Sequence, residues 1–340
     1  MKPTLLITWW LGYIGSHAVV CFEQAGYRTI IIDNESNSER FILERLASIL
    51  WYIPVFYPWD IRDKDLLREI FQRENISWVI HFAGLKSVSE SCTQPLTYFD
   101  NNLVWSLTLF AVMQEFQVRS IIFSSSATVY NGAWFNWDDF VGIVETAPVW
   151  DTINPYGTSK YLVEKILEDL AQFAGFRVMN LRYFNPIWAH ESGLIGEKPN
   201  GIPNNLLPYI LKVASWELSE LTVYGDDYPT PDGTGVRDYI DVNDLIDGHL
   251  QAYKILESLS QWGSFETYNL GRWVWVSVLE LLDVARNITG QTIPHRVWER
   301  RAWDLACVYC NPHKAESQLN WKALRTPQES ISAAWKFYNR

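Results

Sequence analysis

The 340-residue chain reads as an α/β protein: a doubly wound parallel sheet followed by a smaller carboxy-terminal α/β lobe. Three observations predict this. Short, continuously apolar runs at residues 4–8, 29–32 and 121–123 suit strands buried on both faces. Helical patterns alternate with them, the longest opening at Tyr156 with Tyr161, Leu162, Ile166, Leu167 and Leu170 on its apolar face. Near residue 180 the alternation gives way to loops carrying Pro199, Pro203, Pro208, Pro229 and Pro231. Domains are therefore expected at 1–185 and 186–340.

A formal charge of −11 argues against a nucleic-acid surface and against anionic membranes. An anionic ligand must be held by local basic residues and helix N-termini. No apolar run is long enough to span a membrane, and Met1-Lys2-Pro3 leads straight into a strand pattern, so a cytoplasmic protein is expected. Four cysteines make no disulfide framework in a chain of this length, and Cys307 and Cys310 have no second pair beside them; no metal is expected.

The first strand runs into Trp9-Trp10-Leu11-Gly12-Tyr13-Ile14-Gly15-Ser16-His17, then a helix, then a strand ending at Asp33-Asn34. Strand, turn, helix, strand and an acid about twenty residues after the turn form the Rossmann layout, with a pyrophosphate at the helix N-terminus. Asp33 is placed to bond the adenosine ribose hydroxyls and to repel a 2′-phosphate, which favours NAD over NADP.

Chemistry is concentrated between Ser124 and Lys160. Tyr156 and Lys160 lie four residues apart on a helix, hence on one face. A neighbouring ammonium is expected to lower the phenol pKa and make Tyr156 a general base for a hydroxyl proton. The strand at 121–123 ends in Ser124-Ser125-Ser126, which brings a hydroxyl beside it.

Together these motifs resemble the extended, sugar-nucleotide-modifying branch of the short-chain dehydrogenase/reductases, and within it the UDP-glucose 4-epimerase family. The matching segments are 12–17, 82–86, 124–130, 156–160, 181–186, 201–209, 228–239 and 317–321. The resemblance implies Tyr156 as base, Lys160 as its partner and ribose ligand, and Ser126 on the sugar oxygen. It implies NAD held by Gly12, Tyr13, Ile14, Gly15, Asp33, Asn34, Asn37 and Ser38, with Asp60 and Ile61 flanking the adenine. Phe82, Ala83, Gly84, Lys86, Asn101, Tyr183 and Phe184 complete that site. It implies a UDP-sugar held by Asn185, Asn205, Arg237, Arg301 and Asp304, with Val308 leaving room for N-acetylated sugars. It also implies inversion at C4 through a 4-keto sugar, and a homodimer through a four-helix interface. Ala127-Thr128-Val129 lacks the acids that dehydrating and decarboxylating relatives use there. A reductase consuming NAD(P)H would require an exchangeable cofactor.

Tryptophan is the anomaly: 18 Trp stand beside only 18 Gly. Trp9, Trp10, Trp59, Trp105, Trp188, Trp273, Trp275 and Trp303 fall where the family pattern has glycine, and Trp51, Trp150, Trp216 and Trp262 fall in turn-like contexts. Glycine at all twelve would make both totals ordinary, as expected of a codon its host reads as glycine. Two other origins are replacement of ligand-facing glycines and divergence to a catalytically inactive sugar-nucleotide-binding protein, in which Trp9 and Trp10 obstruct the dinucleotide turn. Glu35 and Asp241 stand where the family has an apolar residue and a histidine.

Overall fold

The computed structural model describes residues 3–8, 12–35, 41–82, 84–130, 142–187, 189–199, 201–258 and 263–339. Trp9, Trp10, Leu11, Asn37, Ser38, Ala83, Trp134, Trp137, Trp188 and Trp262 lie outside them.

The strands are β1 (Thr4–Thr8), β2 (Arg28–Ile32), β3 (Val55–Tyr57), β4 (Ile76–His81), β5 (Ser120–Ser126), β6 (Arg177–Tyr183), β7 (Asn185–Ile187), β8 (Leu221–Tyr224), β9 (Val236–Asp241), β10 (Ser264–Leu270), β11 (Trp275–Ser277), β12 (His295–Trp298) and β13 (Cys307–Val308). The helices are α1 (Tyr13–Gln24), α2 (Phe41–Leu50), α3 (Lys64–Glu74), α4 (Val88–Thr93), α5 (Pro95–Phe99), α6 (Trp105–Glu115), α7 (Pro155–Ala174), α8 (Leu206–Ala214), α9 (Val242–Ser258), α10 (Val278–Thr289), α11 (His313–Gln318) and α12 (Pro327–Tyr338). None of the described helices is long and apolar enough to cross a membrane.

Contacts divide the chain into two compact units, each assembled from three segments. One comprises Met1–Tyr130, Val149–Arg182 and Ile246–Tyr268; the other comprises Asn131–Pro148, Tyr183–Leu245 and Asn269–Arg340. The first is organised by a seven-stranded sheet ordered β3-β2-β1-β4-β5-β6-β10. Its strands from β3 to β5 run parallel, and the order reverses at β1, where chains of this class bind ligands at the strand ends. Leu6, Ile30, Val79 and Ile121 are fully buried in it, as continuous apolar strands require. In the second unit β9 is the hub, pairing antiparallel with β11 and parallel with β13 and β7; β8 and β12 form a separate parallel pair.

Helix ends follow their local chemistry. Asp63 caps α3 by accepting from the Asp65 and Leu66 amides, and Ser277–Glu280 and Thr326–Glu329 form reciprocal capping boxes on α10 and α12. Asn154 caps α7, Pro155 takes its first position, and Gly175 closes it at φ 70°. The same left-handed conformation is adopted by Trp51 after α2 (φ 68°), Trp216 after α8 (φ 64°) and Trp273 (φ 60°). These are positions for glycine, since a side chain with a Cβ is strained there. The three indoles offset little of that strain by burial: they are 91%, 66% and 41% exposed.

Asp241 is fully enclosed at the end of β9, accepting from the Asn243 amide and side chain, with Ser330 Oγ 3.4 Å away. Burial pushes its carboxyl up to about 7, and neighbouring Asp244 adds to the rise. Nothing in the structure explains why an acid stands at 241, or at Glu35, which is left-handed at φ 57°.

Three outcomes follow from these environments. Trp51→Gly, Trp216→Gly and Trp273→Gly should each stabilise the chain by roughly 1 kcal/mol in thermal or denaturant unfolding. Trp78→Gly, which empties a buried β4 position, should destabilise it. The folded carboxyl of Asp241 titrates above its unfolded value of about 3.9, so its contribution is complete below that pH and is lost as pH rises through about 7. Asp241→Asn should therefore raise the melting midpoint more at about pH 8 than at about pH 5.

Candidate active site

The end of β5, the single 3₁₀ turn Ala127–Val129 and the first turns of α7 build the reactive centre. Asn154 Oδ1 accepts from the Gly157 amide, which starts α7 at the residue that must carry the phenol. Gly157 faces the Thr128 carbonyl so closely that a Cβ there would collide with it. That approach brings Tyr156 to Ser126. Thr128 donates to Ser126 Oγ from its amide (3.2 Å) and hydroxyl (2.9 Å), and the Ser126 hydroxyl is hydrogen-bonded to the Tyr156 phenol. One turn on, buried Lys160 Nζ donates to the Ser124 carbonyl at 2.7 Å.

The electrostatics correct one expectation. The Tyr156 pKa is raised, because burial penalises phenolate more than the Ser126 hydrogen bond favours it. Lys160 directs one N–H to the Ser124 carbonyl, and burial pulls its pKa down to about 7 against the opposing charge of Glu164. His81, enclosed between Thr8 and Ser106, is driven down to about 3 and stays neutral.

At the strand ends of the same unit lies an open cleft of about 350 Å³, lined by Asp33, Asn34, Asp60, Ile61, Gly84 and Asn101 among others. Asp33 is buried and accepts from the Glu35 amide, and Asn34 donates to Asp60 Oδ2 at 2.9 Å. Gly84 has φ 150°, and a Cβ there would sit 3.0 Å from Asn102 Oδ1 and 3.5 Å from Lys160 Nζ. Lys86 Nζ lies over the Tyr13 ring at 5.9 Å, and Phe82 packs on His249. Gly12 stands at the N-cap of α1 and, as a glycine, brings no side chain to the helix's first turn. An acid for a ribose, a slot for a flat base, a helix N-terminus and a close-approach glycine fit NAD. Trp59 and Trp105 also line the cleft, and the Trp105 indole nitrogen is buried with no hydrogen-bond partner among the described residues. Glycine at both positions would widen it.

In the second unit Arg237, Arg301 and Asp304 converge. Arg301 binds the Asp304 carboxylate through Nε (2.6 Å) and Nη2 (2.5 Å), and Arg237 Nη2 lies 3.7 Å from its other oxygen. Arg237 is further fixed by donating to the Val236 and Leu305 carbonyls. β9 aligns the set, with Asn185 opposite Tyr239 and Val308 opposite Arg237. Asn205 is exposed at the start of α8 and donates to Glu197 Oε1 at 2.7 Å. Tyr183 and Phe184 are buried where β6 ends. Cys307 and Cys310 are free buried thiols, Cys307 pushed up to about 12 by burial.

Sequence reasoning missed Asn102. Its Oδ1 accepts the Leu85 amide at 2.7 Å, and its amide nitrogen donates to the Leu85 carbonyl and to Ser159 Oγ, both at 3.0 Å. It thus ties the 84–86 loop to α7; Asn101, read as the contact residue, lies beside it on the cleft and accepts the same amide at 3.3 Å. The only signal was the doubled asparagine itself. Thr128, read only as a missing acid, also proves to hold Ser126.

Residues 5–271 match the family model described as the NAD dependent epimerase/dehydratase family. A UDP-glucose 4-epimerase of Neisseria meningitidis serogroup A is 47% identical over 334 residues, 98% of this chain and 96% of its own length. One from Bacillus subtilis is 42% identical over 340 residues, again 98% and 96%. The crystal structure of UDP-glucose 4-epimerase from Bifidobacterium longum, a complex with NAD+ and UDP, superimposes with a TM-score of 0.93 at 44% identity, covering 99% of this chain and 98% of that one. With its βα order, its Ser126–Tyr156–Lys160 centre and its full-length similarity to these enzymes, the chain belongs to the NAD dependent epimerase/dehydratase family.

Proposed function

We propose that this chain interconverts UDP-glucose and UDP-galactose by inverting the sugar at C4 through a 4-keto intermediate. The observation that carries the reading is Tyr156 hydrogen-bonded to Ser126 one turn from buried Lys160, in a chain similar over its length to UDP-glucose 4-epimerases. Tyr156 takes the C4 hydroxyl proton, Ser126 holds the same oxygen, and Tyr156 returns the proton after inversion. The chemistry supplied by bound NAD is reversible hydride acceptance at C4, so the cofactor ends as it began. Asp33, Asn34, Asp60 and Ile61 hold its adenosine half; Gly84, Lys86, Asn101 and Lys160 serve the other. Arg237 and Arg301 bind the substrate pyrophosphate through their planar forks, with Asp304 passing from the two guanidiniums to the uridine ribose. The first unit thus supplies cofactor and chemistry, the second the nucleotide anchor. The reading includes a cytoplasmic location, which four free cysteines support.

A homodimer is part of the reading. Val104 and Leu107 are exposed along the α6 stretch, Leu96 on α5 is 82% exposed and Phe173 on α7 is 78% exposed. Apolar side chains so placed on neighbouring helices suit helix-to-helix pairing with a second copy.

Trp59 and Trp105 in the cleft favour a second reading, a chain of this fold that binds sugar nucleotides without turning them over. The two readings part at Tyr156. Tyr156→Phe should lower kcat by about 10²–10⁴-fold with KM for UDP-galactose little changed. Binding of UDP-sugar without turnover, unaltered by Tyr156→Phe, would support the inactive protein. Val308 should leave room for an N-acetyl group, so UDP-N-acetylglucosamine should be epimerised as well; Val308→Tyr should abolish that activity and spare UDP-glucose.

A further inference from the structure

Behind the reactive centre lies a buried polar network that the chemistry above does not use. Glu164 follows Lys160 by one turn of α7, and both side chains face β5. Lys160 donates to the Ser124 carbonyl, and the next residue along β5, Ser125, donates its hydroxyl to Glu164 Oε1. Arg182, on the adjacent strand β6, binds both oxygens of the same carboxylate, through Nε at 3.0 Å and Nη2 at 2.7 Å. Its remaining nitrogen, Nη1, donates to the Tyr130 hydroxyl at 2.9 Å, just past the turn that carries Thr128. The side chains of Glu164 and Arg182 are 4% and 6% exposed.

A buried ion pair is a poor device for stability, because desolvation offsets most of its attraction, and an apolar pair of similar volume often does as well. What this pair does hold is geometry. One carboxylate joins α7, β5, β6 and the segment after the 3₁₀ turn, the four pieces whose register decides where Ser126 meets Tyr156. It also sets a negative charge one turn from Lys160. We propose that Glu164, locked by Arg182, is a positioning residue for the Tyr156–Lys160 pair: it fixes the β5 end under Ser126 and keeps Lys160 charged beside the base. The proposal rests on Tyr156 being the base.

The charged and titratable groups around Lys160 leave this task to Glu164. His81 on β4 is neutral through burial, Tyr98 on α5 packs edge-on to Tyr156 and donates to Glu90, and Tyr130 is engaged by Arg182. Burial drives Lys160 toward neutrality and the Glu164 charge opposes it. Without that charge Lys160 loses its proton more readily, and the Tyr156 phenolate loses its cation.

The test reads Tyr156 ionisation directly. Ultraviolet tyrosinate absorbance is titrated in the parent, Glu164→Gln and Glu164→Asp chains, each against its own Tyr156→Phe counterpart, beside the pH profile of kcat. In Glu164→Gln the Tyr156 titration and the rising limb of kcat should move upward by about one pH unit, with KM little changed and kcat near neutrality lowered about 10-fold. Glu164→Asp, which keeps the charge, should return the titration toward the parent value. A folded Glu164→Gln with the parent titration and limb overturns the proposal. If Glu164→Gln does not fold, Glu164→Gln/Arg182→Met removes both charges together and is read the same way: a parent-like titration in that folded chain overturns it. Activity surviving Tyr156→Phe would instead remove the reading of Tyr156 as base, a separate failure.

Discussion

The reactive centre depends on one close approach. α7 can bring Tyr156 to the end of β5 only because residue 157 has no side chain where the Thr128 carbonyl sits. The Asn154 cap decides where that helix begins, and Lys160 and then Glu164 bind successive residues of β5 along its buried face. Each turn of the helix therefore reads one step of the strand. The sheet order supplies the rest, because β5 lies between β4, which carries His81, and β6, which carries Arg182.

The two units follow different physical logic. In the first, apolar strands and helix termini gather polar atoms where the sheet order reverses, and those atoms suit a dinucleotide. In the second, two guanidiniums share one carboxylate, a cluster that holds both cations in place. A chain with a net charge of −11 needs such local cations for an anionic substrate.

Much of this was legible in the sequence, for physical reasons that can be named. A tyrosine and a lysine four apart on a helix share a face whatever surrounds them, and continuous apolar runs declare buried strands. Asp33 was legible because it ends the second strand at the distance the turn sets. The network of Ser125, Glu164, Arg182 and Tyr130 was not, since those contacts exist only once β5 and β6 are neighbours. The direction of the Tyr156 shift was not either: proximity to Lys160 argued downward, while burial, which only the fold reveals, carries it upward. Trp51 and Trp216 were legible as misfits from their turn-like surroundings and Trp273 from the family pattern, and their left-handed backbones give the physical content of the misfit. Trp59 and Trp105 are the same anomaly at the cofactor cleft.

The account stands on the cleft at Asp33 holding NAD beside Tyr156, with glycine the residue the fold wants at its rim. The most direct test is the dinucleotide released on denaturing two purified chains, one as written and one carrying glycine at 9, 10, 59 and 105. The account predicts an equimolar amount of NAD from the glycine chain and less from the tryptophan chain. A glycine chain that is folded and empty would contradict it.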